Sequence, residues 1–416
     1  MIEPNFMDRD EQRFDRNQQA LRDSDLDALV CALPMNVLLL SGYWPVVGTS
    51  IAIFSSDGAV VLLVPEDEKE LATHGWADDV KTFTPASLAQ LITLQEAVID
   101  PLREMVTALG LNNARIGFEL GPVVEPSSYA AMNLYAARID ELLRHVTLQA
   151  NLFPATELLS DMRKVLTQRE IACVKRSCSI AAAAFDEGRR QLRSGIRETE
   201  AANAFRSRLT DPGEELGSVG RCDGFTYCMS GENSYEAFAA FQRSRPRQLL
   251  DGDLVLIHCN SYVDGFWTDI TRTYCLGEPD ERKLEMFQAI SAARRAALGE
   301  IRPGVAAKWV DAAARDILTR HGFDKEFLHG LGHAVGFHAI DHNASPRLHP
   351  ASPDVLEEGM VFNIEPAIYI EKYGGMRHCD LIAVTRNGYE ILTPFQTSLS
   401  ELSIGVSDNA AANAAP

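Results

Sequence analysis

The apolar residues of this 416-residue chain come in runs about the length of a β-strand, and this limits the folds open to it. In the first 155 residues, runs rich in Val, Ile and Leu, such as SIAIF and AVVLLVP, alternate with segments of helical periodicity. That alternation is typical of an α/β domain. No run approaches the roughly 18 apolar residues that a membrane-spanning helix needs.

The pattern changes after a long helical stretch that begins near residue 168. Strand-like and helical segments then follow in an order that predicts an α+β arrangement, with helix pairs around an antiparallel sheet. The strand-like segments are 254–257, 266–274, 360–370 and 381–385, and the helical ones are 280–301 and 308–321. We therefore predict an α/β domain over 1–155, an α+β domain over 160–405 and a disordered, small-residue tail over 406–416.

Charge and cysteine content restrict the partners and the compartment. The formal net charge of −19 argues against nucleic acid or an anionic membrane as a partner. The N-terminal residues are charged and lack the apolar segment of a signal peptide, and the eight cysteines form no CxxC pair. We expect a cytoplasmic protein with reduced thiols.

Four histidines lie within the segment HGLGHAVGFHAIDH, residues 329–342, together with three glycines. Glycines at this density disfavour a helix, and they let the backbone approach a bound ion or a substrate closely. The segment therefore predicts a functional loop. The alternative is a glycine-rich loop whose histidines are solvated.

A second candidate segment runs from His258 to Asp269 and beyond. The Asp264–Gly265 pair is a hairpin turn signal between two apolar runs, and a hairpin there brings His258 within a rung or two of Asp269. By period two, Asp269 shares a strand face with Thr271 and Thr273. A carboxylate on an inward face is costly unless it is paired or bound to a metal. The alternative is an exposed hairpin edge with ordinary polar residues.

Two further segments carry chemically active side chains beside apolar strands. Glu365 stands inside MVFNIEPAIYI and needs a partner there, and Pro366 marks a bend or a sheet edge. GGMRHCD places Arg377 and Cys379 just before another buried strand. Together the four segments supply Asp, His, Glu and Cys donors from separate strands and loops, which is how metal or acid–base centres are assembled.

These four segments, in this order and spacing, resemble the C-terminal domain of the creatinase / aminopeptidase P / prolidase / methionine aminopeptidase family, peptidase family M24. The matching motifs are DITRT at 269–273, HGLGH at 329–333, IEP at 364–366 and GGMR at 374–377. The first 155 residues are similar to the family's N-terminal domain. The resemblance implies an α+β pita-bread catalytic domain after an α/β N-terminal domain, a hydrolase acting on a peptide or related amide bond, and a homodimer.

In the metal-dependent members of that family, five ligands (Asp, Asp, His, Glu and Glu) bind two divalent ions that activate a bridging water. Asp269, His333 and Glu365 match three of these ligands. His258 stands at the first Asp position and Cys379 at the last Glu position. This softer set of donors suits one zinc or iron ion better than a pair of ions such as manganese.

The resemblance also identifies positions around the metal ligands. His329 matches the first histidine of the HGLGH loop. Phe238, in SGENSYEAF, stands where the family keeps an upstream catalytic histidine, and Ile340 stands where a further histidine is expected. His338 and His342 flank Ile340, and either could bind the substrate in its place.

Three functions stay open from the sequence. The first is a metallohydrolase that cleaves a peptide or related C–N bond in a small molecule or short peptide. The second is a metal-free hydrolase or lyase, as in creatinase, acting on a small amidino, imino-acid or osmolyte-like compound. In that case His329, His333 and Glu365 are the acid–base candidates, and Arg377 would clamp a substrate carboxylate through two hydrogen bonds. The third is a non-catalytic binding protein on a pseudo-peptidase fold.

Overall fold

The computed structural model divides into two compact units, Met1–Arg169 and Glu170–Pro416. It describes residues 8–45, 48–84, 91–120, 138–211, 213, 220–239, 243–342 and 344–405. The tail predicted over 406–416 lies outside these residues. In the described part of the chain, no helix is long and apolar enough to cross a membrane.

The first unit is built on a mixed sheet, as its alternating apolar runs predict. Its strands are β1 (Ala28–Cys31), β2 (Ile51–Ser55), β3 (Val60–Pro65), β4 (Asp79–Phe83), β5 (Arg115–Phe118) and β6 (Asn151–Pro154). Among the described residues they lie in the order β4-β3-β2-β1-β5-β6, and β1 is antiparallel to β2 but parallel to β5.

Helices surround this sheet and end the unit. They are α1 (Glu11–Asp23), α2 (Pro34–Ser41), α3 (Lys69–Ala72), α4 (Leu94–Ala108), α5 (Ile139–Val146) and α6 (Thr156–Lys164), with short 3-10 turns at Glu66–Glu68 and Leu111–Asn113. Buried side chains of β1, β2 and β5 pack with those of α4 and α5 in one apolar core. The last of these helices, α6, lies within the first unit.

The second unit has the α+β composition that the sequence predicts. Its helices are α7 (Gln168–Gln191), α8 (Glu198–Arg206), α9 (Glu281–Glu300), α10 (Ala307–Arg320) and α11 (Leu399–Leu402), with a 3-10 helix at Gly231–Phe238. Its strands are β7 (Cys222–Ser230), β8 (Leu254–Val263), β9 (Phe266–Trp267), β10 (Ile270–Leu276), β11 (Val361–Ile364), β12 (Ala367–Ile370), β13 (Gly374–Arg377), β14 (Asp380–Thr385), β15 (Gly388–Ile391) and β16 (Ser403–Ile404).

Antiparallel pairing in this unit brings the predicted motifs together. Within the described residues the strand orders are β16-β10-β8-β7, with β9 on β8, then β11-β14-β15 and β12-β13. The hairpin turn is present: Asp264 and Gly265 have φ values of 49° and 87°, which a tight two-residue turn requires. Across the β8–β10 pair, Thr271 lies opposite His258, so Asp269 is two residues from that register position.

The glycine-rich segment forms an extended loop along β11 instead of a helix. The amide of Glu365 donates to Leu331 at 2.8 Å, and the amide of Asn363 donates to His333 at 3.0 Å. At Gly332 a Cβ would lie 1.9 Å from the Asn363 carbonyl oxygen, so no larger residue fits without opening this pairing. The close approach that glycine permits here is to a neighbouring strand, and it sets His333 beside Glu365.

Candidate active site

The candidate site is a small pocket in the second unit, and most of the predicted residues line it. Its lining consists of Phe238, His258, Asp269, His329, His333, Ile340, His342, Glu365 and Arg377. Two predicted residues are not in this lining. Cys379 is buried beside Asp269, and His338 pairs with Asp341 at 4.0 Å.

His258 is held on β8 in one defined tautomer. Its Nε2 lies 2.9 Å from Asn260 Oδ1, while the Asn260 amide nitrogen donates to the carbonyl of Thr268 at 3.1 Å. Nε2 therefore carries the proton. Nδ1 lies 3.1 Å from a guanidinium nitrogen of Arg377, which can only donate, so the Nδ1 lone pair accepts from Arg377.

This environment keeps His258 neutral at neutral pH. Burial is the largest cause that lowers the pKa of His258 to about 4; the negative charge of Asp269 at 3.7 Å opposes this shift, and the positive charge of Arg377 adds to it. Arg377 also donates to Thr271 at 3.1 Å from its Nε. The guanidinium is thus turned toward β8 and β10, with its Nη1 3.9 Å from Glu365.

His333 and Asp269 form a second defined pair. The His333 Nδ1 donates to the carbonyl of Ala334 at 3.0 Å, and Nε2 faces Asp269 at 3.6 Å. Burial works against the charged imidazole, but the hydrogen bond and negative charge of Asp269 raise the pKa of His333 to about 8. Burial would raise the pKa of Asp269, and the neighbouring His258 and His333 hold it below its usual value.

Glu365 occupies the break between β11 and β12 that Pro366 marks in the sequence. Burial raises the pKa of the Glu365 carboxyl, and the positive charge of Arg377 opposes this rise only in part. A carboxylate in so apolar a strand requires a partner, and for Glu365 that partner is Arg377. A substrate or ion bound in the cavity would be a second partner.

His329 is neutral and paired with a residue that sequence reasoning missed, Tyr369 on β12. Its Nδ1 donates to the carbonyl of Gly330 at 2.8 Å, so the Tyr369 hydroxyl donates to Nε2 at 3.1 Å. Burial lowers the pKa of His329 to about 3. Tyr369 could have been identified from the sequence by its position, because it lies two residues after Ala367 in β12, the strand that follows Glu365.

Asn363 is a second residue of the site that the IEP motif does not include. Its Oδ1 accepts from the amide of His333 at 2.7 Å, and its Nδ2 lies 3.3 Å from His333 Nε2. Period two would have placed Asn363 on the same face as Glu365. It orients the loop that carries His333.

The carboxylate of Glu365 is shared by two groups of possible metal ligands. One group is His333, His342 and Glu365, and the other is Asp269, Glu365 and Cys379, with donor atoms within 4.8 Å of one another in each. Among the described residues, His258 is in neither group. A divalent ion fits this arrangement, because His333 donates its Nδ1 proton to a backbone carbonyl, as metal-bound histidines do, so that an ion could take the place of the Nε2 proton that faces Asp269.

Phe238 and Ile340 add apolar surface to the cavity, at the positions where the resemblance puts histidines. Phe238 ends the 3-10 helix and packs 6.0 Å from the ring of Tyr369. The segment before it is fixed by the buried Glu198, whose carboxylate accepts from the amide of Ser230 and from the side chain of Asn233.

Comparison with known proteins agrees with this geometry. The sequence model of the Metallopeptidase family M24 matches residues 172–386, and that of the Creatinase/Prolidase N-terminal domain matches residues 13–165. The chain therefore belongs to the metallopeptidase family M24. It is a peptidase-type hydrolase with the pita-bread catalytic fold of that family after a creatinase-type N-terminal domain.

Relatives within the M24 family match nearly the whole chain. The Xaa-Pro dipeptidase of Pyrococcus horikoshii is 28% identical over 376 residues, 90% of this chain and 95% of that protein. The Xaa-Pro dipeptidase of Pyrococcus furiosus is 27% identical over 390 residues, 93% of this chain and 99% of that protein. The crystal structure of the prolidase from Pyrococcus horikoshii has a TM-score of 0.71 at 26% identity, and covers 92% of this chain and 98% of its own.

Proposed function

We propose that this M24 protein is a metal-dependent amidase of short peptides, with dipeptides of the Xaa-Pro type as the substrates to test first. The observation that carries the proposal is the sharing of Glu365 by two donor groups at a cavity with several further polar side chains. The Xaa-Pro dipeptidases to which the chain is similar give the substrate class.

Glu365 and His333 are the residues that would hold the ion, with donors from the two groups around them. A bound divalent ion would supply a nucleophilic water of lowered pKa at neutral pH. His333 is unsuited to act directly on the substrate as a base, because Nδ1 donates to Ala334 and Nε2 faces Asp269. Its two nitrogens are instead arranged as those of an oriented ligand.

We infer that the site takes one ion and not two. His258 stands at the first ligand position, and its Nδ1 lone pair accepts a hydrogen bond from the Arg377 guanidinium at 3.1 Å. That lone pair is therefore not available to a metal ion. The Cys379 thiol donates to the Asp269 carbonyl at 3.1 Å, and burial raises its pKa well above the usual value. Because His258 and Cys379 are engaged in these hydrogen bonds, a second ion would lack two of the five ligands.

The remaining lining residues suit a small substrate with an apolar part. Phe238 and Ile340 offer apolar contact and exclude water from the reacting bond. Tyr369 donates to His329, so the neutral His329 is fixed in orientation and cannot supply a proton from a charged imidazole at neutral pH. Among the other lining residues, the Arg377 guanidinium is a permanent hydrogen-bond donor that could contact a leaving group.

Hydrolysis assays on purified protein test this proposal. Proline release from a panel of Xaa-Pro dipeptides would be measured by mass spectrometry with added zinc, ferrous iron or manganese, and again after chelation. We expect release that chelation abolishes and metal restores. Since a bound ion contributes several kcal/mol to transition-state stabilisation, Glu365→Gln should lower kcat/KM by about a hundredfold or more.

The matched control is Glu358→Gln, an exposed carboxylate on the same approach to β11, which should leave the rate unchanged. Absence of release under every metal condition would contradict the proposal, as would a rate that chelation leaves intact.

A metal-free C–N hydrolase of the creatinase type is the second candidate. It is favoured by one observation, the permanent positive charge of Arg377 inside the site, paired with His258 and near Glu365. Chelator-insensitive hydrolysis of a small amidino or imino-acid compound would support it over the metallohydrolase. The homodimer, the cytoplasmic location, the domain limits and the bidentate role of Arg377 stay predictions of the sequence.

A further inference from the structure

The geometry points to His342 as a ligand of the metal ion, in a three-residue set with His333 and Glu365. This inference rests on the proposed metal-dependent function and names the residues that hold its ion. The resemblance to the M24 family placed His342 only as a substrate-binding candidate. In the structure, His342 lies beside His333 and Glu365.

His342 lies directly against the histidine that is best prepared to bind a metal. The two rings are 4.7 Å apart between centroids, tilted by 39°, and the donor atoms of His342, His333 and Glu365 lie within 4.8 Å of one another. In the described part of the chain, the imidazole of His342 has no hydrogen-bond partner. A histidine that faces a cavity with both nitrogens unengaged can turn either one toward an ion.

The neighbouring His338 shows that this placement is specific to one of the two flanking histidines. His338 lies 4.0 Å from Asp341 and is absent from the cavity lining, whereas His342 is part of it. The two histidines are four residues apart in the same loop. His338 is therefore a matched control for any effect of removing an imidazole from this segment.

The competing group, with Asp269 and Cys379, is less well prepared to bind an ion. The Cys379 thiol is a donor to the carbonyl oxygen of Asp269 at 3.1 Å, and a carbonyl oxygen can only accept. Binding through Cys379 would require loss of this proton and this hydrogen bond. Binding through His342 requires the loss of neither.

Two imidazoles and one carboxylate make a chemically coherent site. Three protein ligands with an open position toward the cavity are typical of catalytic zinc, and the same donors suit ferrous iron. At His333 the ion would replace the 3.3 Å contact from Asn363, while the Nδ1 hydrogen bond to Ala334 is kept. Asp269 would add negative charge beside the ion.

Zinc affinity tests the assignment without relying on activity. Apo protein, wild type and variants, would be titrated with zinc against a chromophoric chelator. Loss of an outer-shell partner already weakens metal binding about 10- to 100-fold, so loss of a ligand in His342→Ala should weaken it by about a hundredfold or more. His338→Ala and Cys379→Ser should bind zinc as the wild type does.

Folding is checked by circular dichroism and thermal unfolding of each apo variant, and His342→Gln, which keeps most of the side-chain volume, should also lose affinity. Wild-type affinity in His342→Ala overturns the assignment while leaving the metal-dependent function intact. If Cys379→Ser loses zinc affinity and the wild-type protein with cobalt shows a thiolate-to-metal absorption band, the ion belongs instead to the group of Asp269, Glu365 and Cys379. A wild-type protein that binds no zinc overturns both proposals.

Discussion

Asp380, the first residue of β14, forms a fully buried ion pair with Arg272 on β10. Arg272 donates to Asp380 Oδ1 at 2.7 Å, and Arg294 donates to Oδ2 at 2.6 Å. The other donors of Arg272 end on backbone carbonyls, at Thr271, Cys379, Thr393 and Phe395. The pair therefore ties β10 to β14 directly behind the candidate site.

Removing the charge of Asp380 should destabilise the second unit strongly. Asp380→Asn leaves the fully buried guanidinium of Arg272 and the partly buried one of Arg294 without their counter-ion, and breaking such a pair typically costs about 3–5 kcal/mol. The thermal unfolding midpoint should fall by roughly 6–20 °C for a unit of this size. The exposed Asp316→Asn is the control and should leave the midpoint unchanged. A midpoint for Asp380→Asn equal to that of the wild type would contradict this account.

The same ion pair determines whether the stability of the second unit rises or falls with pH. Burial alone would raise the pKa of Asp380, but Arg272 and its other partners hold it well below the usual value. A carboxylate with a depressed folded-state pKa contributes stability above its unfolded pKa of about 3.9, and this is lost as pH falls through the folded value. The difference in midpoint between wild type and Asp380→Asn should therefore be constant near neutral pH and shrink below about pH 4.

At the scale of elements, the pairing of the loop at 331–335 with β11 sets the distance between His333 and Glu365. That pairing depends on Gly332, whose Cβ position lies 1.9 Å from the Asn363 carbonyl. Gly332→Ala should push the loop away from β11 and lower kcat/KM by about a hundredfold, because misplacement by about an ångström has effects of that order.

The matched control is Gly299→Ala, in α9, where a new Cβ meets nothing within 4 Å. Alanine is the better helix former by about 0.5–1 kcal/mol, so this variant should unfold at the same or a higher temperature and keep its activity. Equal kcat/KM for the two variants would show that the loop is not held by this contact.

The elements themselves were largely predictable, because their signals are local. Apolar period and turn residues predicted the hairpin at Asp264–Gly265 and the strand break at Pro366, and the structure has both. Glycine density predicted a loop at 329–342. The partner of that loop, β11, was not predictable, since the contact of Gly332 with Asn363 joins residues about thirty positions apart.

At the scale of the whole molecule, both the family and the convergence of the site followed from the sequence. Asp269, His333 and Glu365 meet as the motifs imply, and Phe238 and Ile340 lie in the cavity. The direction of His258 did not follow from spacing, because it depends on Arg377 from β13. The choice between His338 and His342 depends on the path of one loop, which no periodicity encodes.

The stoichiometry of metal activation tests the central claim most directly. Apo protein would be titrated with zinc while the hydrolysis of an Xaa-Pro dipeptide is followed. We predict a rate that rises with added zinc and levels off at one equivalent per chain, because His258 is bound to Arg377 and cannot serve a second ion. Activity that needs two equivalents, or full activity in the metal-free protein, would contradict the account.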